Sequence, residues 1–399
     1  MTLKASIWSG SMILTLSLAG CGMASTTHPA SPHRASAQPQ PLQLRDITMV
    51  SAKNGWALSS KGVVLTTDGG SQWTSRNPKT LPLTLNTNGG MDENIAAAFP
   101  SSKEAIIAQE TASAIRIWKT NNGGVNWIAK MWRPLEAIIQ NNFGGAIQMQ
   151  FLNAQTGLMV LSSQGNAGSL SDVLLATTDG GIHWHQFHSM KKISAPYLGP
   201  SPSSTLADVG ALTVSPSGWG MASVNTVITG RAWVLTTANG GRSWSSRALP
   251  LPRVSIYDSV AEGVPAYQGD ESGWLWLSLF NNHTAKQRWL VEHTTNRGEQ
   301  WASIPWNHAV PQSSTLGGVF LWPLPQRVLL LVADSHGTGI WQLTSRSAEW
   351  KMVSHLPVVQ INSVSLLSSG IGWVVGNTGS YQTTNGGVTW SKFSPKLVK

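Results

Sequence analysis

Seven tryptophan-terminated turns, each preceded by three short β-rich runs and recurring every 40 to 60 residues, predict an all-β chain. The expected architecture is a seven-bladed β-propeller with four-stranded antiparallel blades. One such unit cannot bury both faces of its sheet, so neighbours must stack about a common axis. The 40-residue interval between Trp350 and Trp390 approximates the bare unit, and the longer intervals hold inserted segments.

The turn is clearest at Thr66-Thr67-Asp68-Gly69-Gly70-Ser71-Gln72-Trp73. Asp68, Asn122, Asp179, Asn239, Asn296 and Asn385 stand five residues before Trp73, Trp127, Trp184, Trp244, Trp301 and Trp390, and Gly70, Gly124, Gly181, Gly241, Gly298 and Gly387 stand three before them. The copy ending in Trp350 carries Ser345 and Ser347 instead. An Asp or Asn side chain accepts from backbone N–H groups just ahead of it, and glycine supplies the left-handed residue that closes a tight hairpin. The tryptophan then opens the outer strand and packs into an apolar layer.

Upstream of each turn lies a third-strand run: Val63-Val64-Leu65, Ile115 to Trp118, Val173-Leu174-Leu175, Trp233-Val234-Leu235, Trp289-Leu290-Val291, Ile340-Trp341, and in the last copy a strand centred on Tyr381. Second strands often open with Gly-Trp, as at Gly55-Trp56, Gly218-Trp219, Gly273-Trp274 and Gly372-Trp373. Innermost strands are runs such as Ile47 to Val50 and Ile361 to Val364. The last blade has its own outer strand at Trp390 to Phe393, which leaves open whether Leu42 to Leu44 adds a closing strand.

Ahead of the repeats, residues 1–20 carry Lys4, an apolar stretch from Met12 to Ala19, and Leu18-Ala19-Gly20 before the single cysteine, Cys21. The stretch has the shape of a secretory signal and is too short for a stable membrane-spanning helix. It resembles a bacterial lipoprotein signal, which implies cleavage before Cys21 and a lipid on its sulfur. The expected domains are therefore 1–20 signal peptide, 21–43 lipidated cysteine and flexible tether, and 44–399 propeller. The tether is rich in Ser, Thr, Pro, Ala, Gln and His. About 22 such residues average on the order of 25 Å end to end. The expected location is extracytoplasmic, anchored to the cell membrane by lipid.

The turn resembles the Asp-box, or bacterial neuraminidase repeat. With Gly-Trp strands and a single seven-bladed ring, the chain is most similar to photosystem II stability and assembly factor-like proteins. That resemblance implies a scaffold binding a protein partner and assisting assembly or stability of a membrane or envelope complex. It also implies an alternative, because sialidases and xyloglucan-cleaving glycosidases share the box: a glycan-binding or glycoside-hydrolysing propeller.

Composition narrows the function classes. Of 399 residues, 11% are charged, where roughly 25% is usual. The net charge of +9 comes from 27 Lys and Arg against 18 Asp and Glu. The bases are scattered, so a nucleic-acid stripe is not supported, and attraction to anionic lipid or wall polymer is the better inference. One cysteine excludes an internal disulfide and a four-cysteine zinc cluster. No nucleophile elbow, His-Glu-x-x-His or phosphate-cradling loop is present. No enzyme activity, cofactor or metal is expected, and the chain is expected to be a monomer with a protein partner or envelope polymer.

The inserted residues fall mainly between blades and between second and third strands, which places them on one end of the ring. Long loops on a rigid scaffold are where binding usually sits. Candidate binding residues there are Trp132, Arg133, Phe143, Tyr197, Arg253, Tyr257, Tyr267 and Trp306, an aromatic and arginine set suited to protein or carbohydrate. Asp258, Glu262, Asp270 and Glu271 are the carboxylates a glycosidase would draw on, and such a site needs a pair about 5 to 9.5 Å apart. His183 and His185, with His188 nearby, have the spacing of two chelating side chains but lack a third ligand.

Overall fold

Short apolar runs bounded by Gly, Asn and Asp, buried on both faces in the middle strands, pair in the computed structural model into seven sheets. The structure describes residues 40–81, 95–111, 114–133, 147–161, 173–186, 208–225, 230–252, 258–309, 316–344 and 347–398. These residues contain no helix. The protein is a seven-bladed β-propeller. Blade 1 runs outward through Leu44–Met49, Gly55–Ser59, Gly62–Thr66 and Gln72–Ser75. Blades 2 to 7 repeat this order, from Ile95–Ala98 to Ile128–Trp132, Ile147–Phe151 to His185–Gln186, Asp208–Val214 to Ser245–Ala248, Asp258–Glu262 to Ala302–Pro305, Gly318–Leu324 to Ser347–Leu356, and Ile361–Leu366 to Ser391–Phe393.

Two blades depart from four strands. In blade 5 the innermost strand is split into Asp258–Glu262 and Ala266–Gln268, both paired with Ser272–Asn281. Residues 263–265 bulge between them, where Gly263 leaves room for the Trp276 indole. Blade 1 gains two strands on its outer edge: Lys396–Val398 pairs parallel with Gln72–Thr74, and Gln40–Pro41 pairs antiparallel with Lys396–Leu397. Leu42 then donates its amide to Pro395 O at 3.0 Å, and Leu42 and Leu44 are buried. The ring is thus sealed on its rim by residues from both sides of the repeats. The physical cause is the otherwise open edge of blade 1, which offers backbone partners to both chain segments.

The core is not one mass. It divides into seven apolar clusters, one at each junction between consecutive blades, including blade 7 against blade 1. The turn tryptophans face the preceding blade: Trp184 packs with Ile106 and Ile115 of blade 2, Trp244 with Leu158 and Leu174 of blade 3, and Trp73 with Trp373 of blade 7. The second-strand tryptophans face the following blade, and three of them donate across the junction. Trp56 Nε1 reaches Ser101 O at 2.9 Å, Trp219 reaches Arg297 O at 3.1 Å, and Trp373 reaches Gly69 O at 2.9 Å. At the closing junction Ser363 and Ser365 Oγ accept from the Ile47 and Met49 amides.

The turn geometry gives each residue type a function. Asp68 Oδ1 accepts from the amides of Ser71 and Gln72, while both Gly69 and Gly70 take positive φ. A residue beyond the Asp, Gly and Trp set completes it. Thr66 Oγ1 donates to Asp68 Oδ1 at 2.9 Å and accepts from the Gly70 amide at 3.0 Å. Thr120, Thr177, Thr237, Thr294 and Thr383 repeat both bonds, and all six threonines are buried. In five copies the indole N–H closes onto the same glycine's carbonyl, at 2.6 to 3.1 Å; in the sixth, Trp127 reaches Arg76 O at 2.9 Å. The degraded copy has buried Leu343 where the others have threonine, and its strands pair with a register shift at Leu343 and Thr344, yet Trp350 remains buried.

Two outcomes test this packing. Trp184→Ala should destabilise the protein by about 3 to 5 kcal/mol in urea titration, since it empties the blade 2–3 junction. Thr237→Val keeps the shape but leaves the Gly241 amide and Asn239 Oδ1 short of a partner, so a loss of about 1 to 3 kcal/mol is expected; an unchanged midpoint would contradict the bonding described.

Candidate functional site

Turns between first and second strands, and between third and fourth strands, gather at one end of the ring. They are bonded to each other: the first turn amide of six blades donates to a carbonyl of the neighbouring turn at 2.7 to 2.9 Å, as Gly69 does to Lys53. That end is closed and short. At the opposite end are the strand ends that lead into the blade-to-blade connections and into the links between second and third strands. Two of the links between second and third strands, Asn281 to Lys286 and Asp334 to Gly337, are tight hairpins. Asn281 Oδ1 caps the amides of His283 and Thr284, and Asp334 Oδ1 caps His336, so each turn closes on its own side chain.

At the loop-bearing end of blades 4 and 5 the connections are pinned by charge. Asp258, 3% exposed, lies 3.0 Å from the Arg288 guanidinium and accepts from Asn281 Nδ2 at 2.7 Å. Arg288 also donates to Pro252 O, and the Gly230 amide donates to Asp258 O at 2.7 Å. Beside this anchor an open cleft of about 420 Å³ is lined by Gly230, Arg231, Ala232, Trp233, Leu249 and Leu251. Its walls are apolar with one cationic side chain, a lining that admits an apolar or anionic group of a partner.

Of the expected binding residues, the four that the structure describes, Trp132 with Arg133, Tyr267 and Trp306, lie apart. Trp132 and Arg133 end the outer strand of blade 2, with Arg133 exposed. Tyr267 sits toward the turn-bearing end of blade 5, against the Trp219 cluster, and burial together with the charge of Asp270 raises its pKa. Trp306 is buried in the blade 5–6 junction, ringed by Trp289, Trp341, Trp350 and His308 at centroid distances of 4.9 to 5.7 Å. Tyr267 thus packs at the blade 4–5 junction and Trp306 at the blade 5–6 junction. Phe143, Tyr197, Arg253, Tyr257 and Cys21 lie outside the described residues.

Asp258 is too far from the other three carboxylates to form a glycosidase pair with any of them. Asp258 pairs with Asn281 at one end of blade 5, whereas Asp270 and Glu271 precede Ser272 at the other, about 30 Å away along the strand. Glu262 is four residues from Asp258, about 13 Å. His183 Nδ1 lies 2.5 Å from Asp179 Oδ2 within the turn, and among the described residues no three His, Cys, Asp or Glu side chains cluster. Burial raises the Asp179 pKa, but hydrogen bonds from His183, Thr177 and the Ile182 amide outweigh it and hold the carboxyl at about 2.

One acid escapes sequence reading altogether. Glu292 is fully buried on the third strand of blade 5; Ser303 Oγ donates to Oε1, and Oε2 has no hydrogen-bond partner. Burial raises its pKa from 4.5 to about 7, against a smaller lowering by Ser303. The folded state holds this proton more tightly than the unfolded chain. The resulting stability is therefore full below pH 4.5 and is lost as pH rises to about 7. Glu292→Gln should remove about 3 kcal/mol of that decline, measured as urea stability at pH 4.5 and 7.5; an unaltered pH slope would contradict it.

No protein-family model matches the sequence, and no curated protein matches it. Solved structures do. The GH74 xyloglucanase from Xanthomonas campestris is similar over 91% of this chain and 55% of its own, at 14% identity and a TM-score of 0.53, so the chain spans about half that enzyme. YCF48 bound to D1 peptide is similar over 85% of this chain and 90% of its own, at 16% identity and 0.49, and YCF48 from Cyanidioschyzon merolae over 88% and 97%, at 17% and 0.48. At these identities the likeness is one of fold.

Proposed function

We propose that this protein is an extracytoplasmic, lipid-anchored scaffold that binds a protein partner and assists assembly or stability of a membrane or envelope complex. The observation that carries the reading is the asymmetry of the wheel. Its turn-bearing end is closed by short bonded turns, while the strand ends that lead into the long connections are at the other end, held by a ring whose junctions are filled one by one. Rigid support with loops on one end is the usual arrangement of a binding surface. The anchored part of the reading rests on Leu18-Ala19-Gly20-Cys21, and the assembly part on the resemblance of the turns. Against the glycoside-hydrolysing alternative stands the separation of Asp258 from Glu262, Asp270 and Glu271.

Crosslinking on intact cells, followed by identification of what is captured through the loop-bearing end, tests the scaffold: a protein partner is expected, and recovery of polysaccharide alone would refute it. Cys21→Ser should move the protein from the membrane fraction to the soluble one; persistent partitioning into detergent phase would refute lipid attachment.

A further inference from the structure

An outer strand presents a row of unpaired N–H and C=O groups, and folded proteins blunt such edges. Most blades here do so. The edge of blade 1 is covered by Lys396–Val398. Blade 3 ends in the two-residue strand His185–Gln186, blade 7 in the three residues Ser391–Phe393, and blade 4 in the polar strand Ser245–Ala248. The blade 5 edge stops at Pro305, and that of blade 6 breaks register twice. Among the described residues Ile128–Trp132 of blade 2 is neither covered, shortened nor broken, and Lys130 is its one charged residue. It runs in unbroken register with Ile115–Lys119, contains no proline, and exposes four of its five residues. Ile128 is 60% and Met131 50% exposed, and Val125 just ahead is 70% exposed.

We infer that the outer edge of blade 2 is a docking strand for an extended, acidic segment of a partner protein, which adds to the blade as a fifth strand. The fold already accepts additions at this position, because the corresponding edge of blade 1 carries Lys396–Val398 and, beyond it, Gln40–Pro41. Charge selects the partner. Lys130 and Arg133 are exposed at the edge, Arg116 and Lys119 lie on the adjoining strand, and neither strand has a carboxylate. Main-chain bonds would supply affinity, and alternate side chains would meet Ile128, Lys130 and Trp132 on one face and Met131 and Arg133 on the other. The inference rests on the protein-binding reading but concerns the rim, not the loop-bearing end.

The test is hydrogen exchange on the full chain, with and without a synthetic peptide of about eight alternating Glu and Val residues at low ionic strength. Amides within Ile128–Trp132 are expected to exchange about tenfold more slowly with the peptide present. Lys130→Glu with Arg133→Glu should weaken binding about tenfold or more; both side chains are exposed, and an unchanged melting temperature checks that the variant folds. A control peptide with proline in place of valine keeps the charge but cannot form the ladder, and should not bind. Binding without protection of this strand, equal binding of the proline peptide, or indifference to charge reversal would each overturn the inference. So would protection already complete without peptide, which marks a segment of this chain as the occupant, or protection that appears only as protein concentration rises, which marks a second copy. A partner captured at the loop-bearing end with this strand unprotected overturns the rim site and leaves the scaffold reading standing.

Discussion

Every junction of the wheel holds a turn tryptophan, and at four of them a second-strand indole, leaving its strand in the opposite direction, grips from the other side. A turn tryptophan such as Trp73 or Trp184 packs back on the blade before it, and a second-strand tryptophan such as Trp56 or Trp373 packs forward on the blade after it. Nothing else in the fold ties neighbouring sheets together so regularly, since hydrogen-bonded pairing stays within each blade. An indole suits the task because it buries a large apolar face and still has one N–H to place. Where that N–H crosses to the next blade, as from Trp373 to Gly69, a junction also gains a directional contact that fixes how the two sheets register. Stability is then spread over seven similar interfaces, and the ring holds only when the last is made.

Much of this was legible in the sequence because the turn imposes its own chemistry. Asp or Asn, two left-handed positions and tryptophan cannot be permuted without losing a bond, so the pattern survives where the rest of the blade drifts. The threonine two residues before the Asp or Asn was equally visible at Thr66 or Thr294, yet its meaning is not, since threonine is common in any strand. Only its burial between an amide and a carboxylate or carboxamide identifies it. The sixth copy shows the converse: Leu343, Ser345 and Ser347 stand where the others have threonine, Asp or Asn, and glycine, but the hydrophobic position of Trp350 persists.

The binding residues were less legible for a physical reason. Loop membership can be read from spacing, but the direction of a side chain cannot. Trp306 follows an outer strand and reads as a loop aromatic, and its backbone nonetheless sends it into the blade 5–6 junction among four other rings. Tyr267 reads as part of a long insertion, whereas that insertion is an innermost strand interrupted by a bulge at residues 263–265. Glu292 gave no signal, because a buried carboxyl within an apolar strand looks the same in sequence as a solvated one. The cleft beside Trp233 arises from two strand ends brought side by side, a property of register alone.

The rim closure on blade 1 has a mechanical corollary. Tension applied to the chain ahead of Gln40 enters the wheel through two residue pairs with Lys396 and Leu397, and so acts directly on the strand that seals the circle. The first element to peel under such a load would be the latch itself. Holding the protein by its leading end and keeping the circle shut are therefore coupled, and a pull strong enough to detach one would loosen the other.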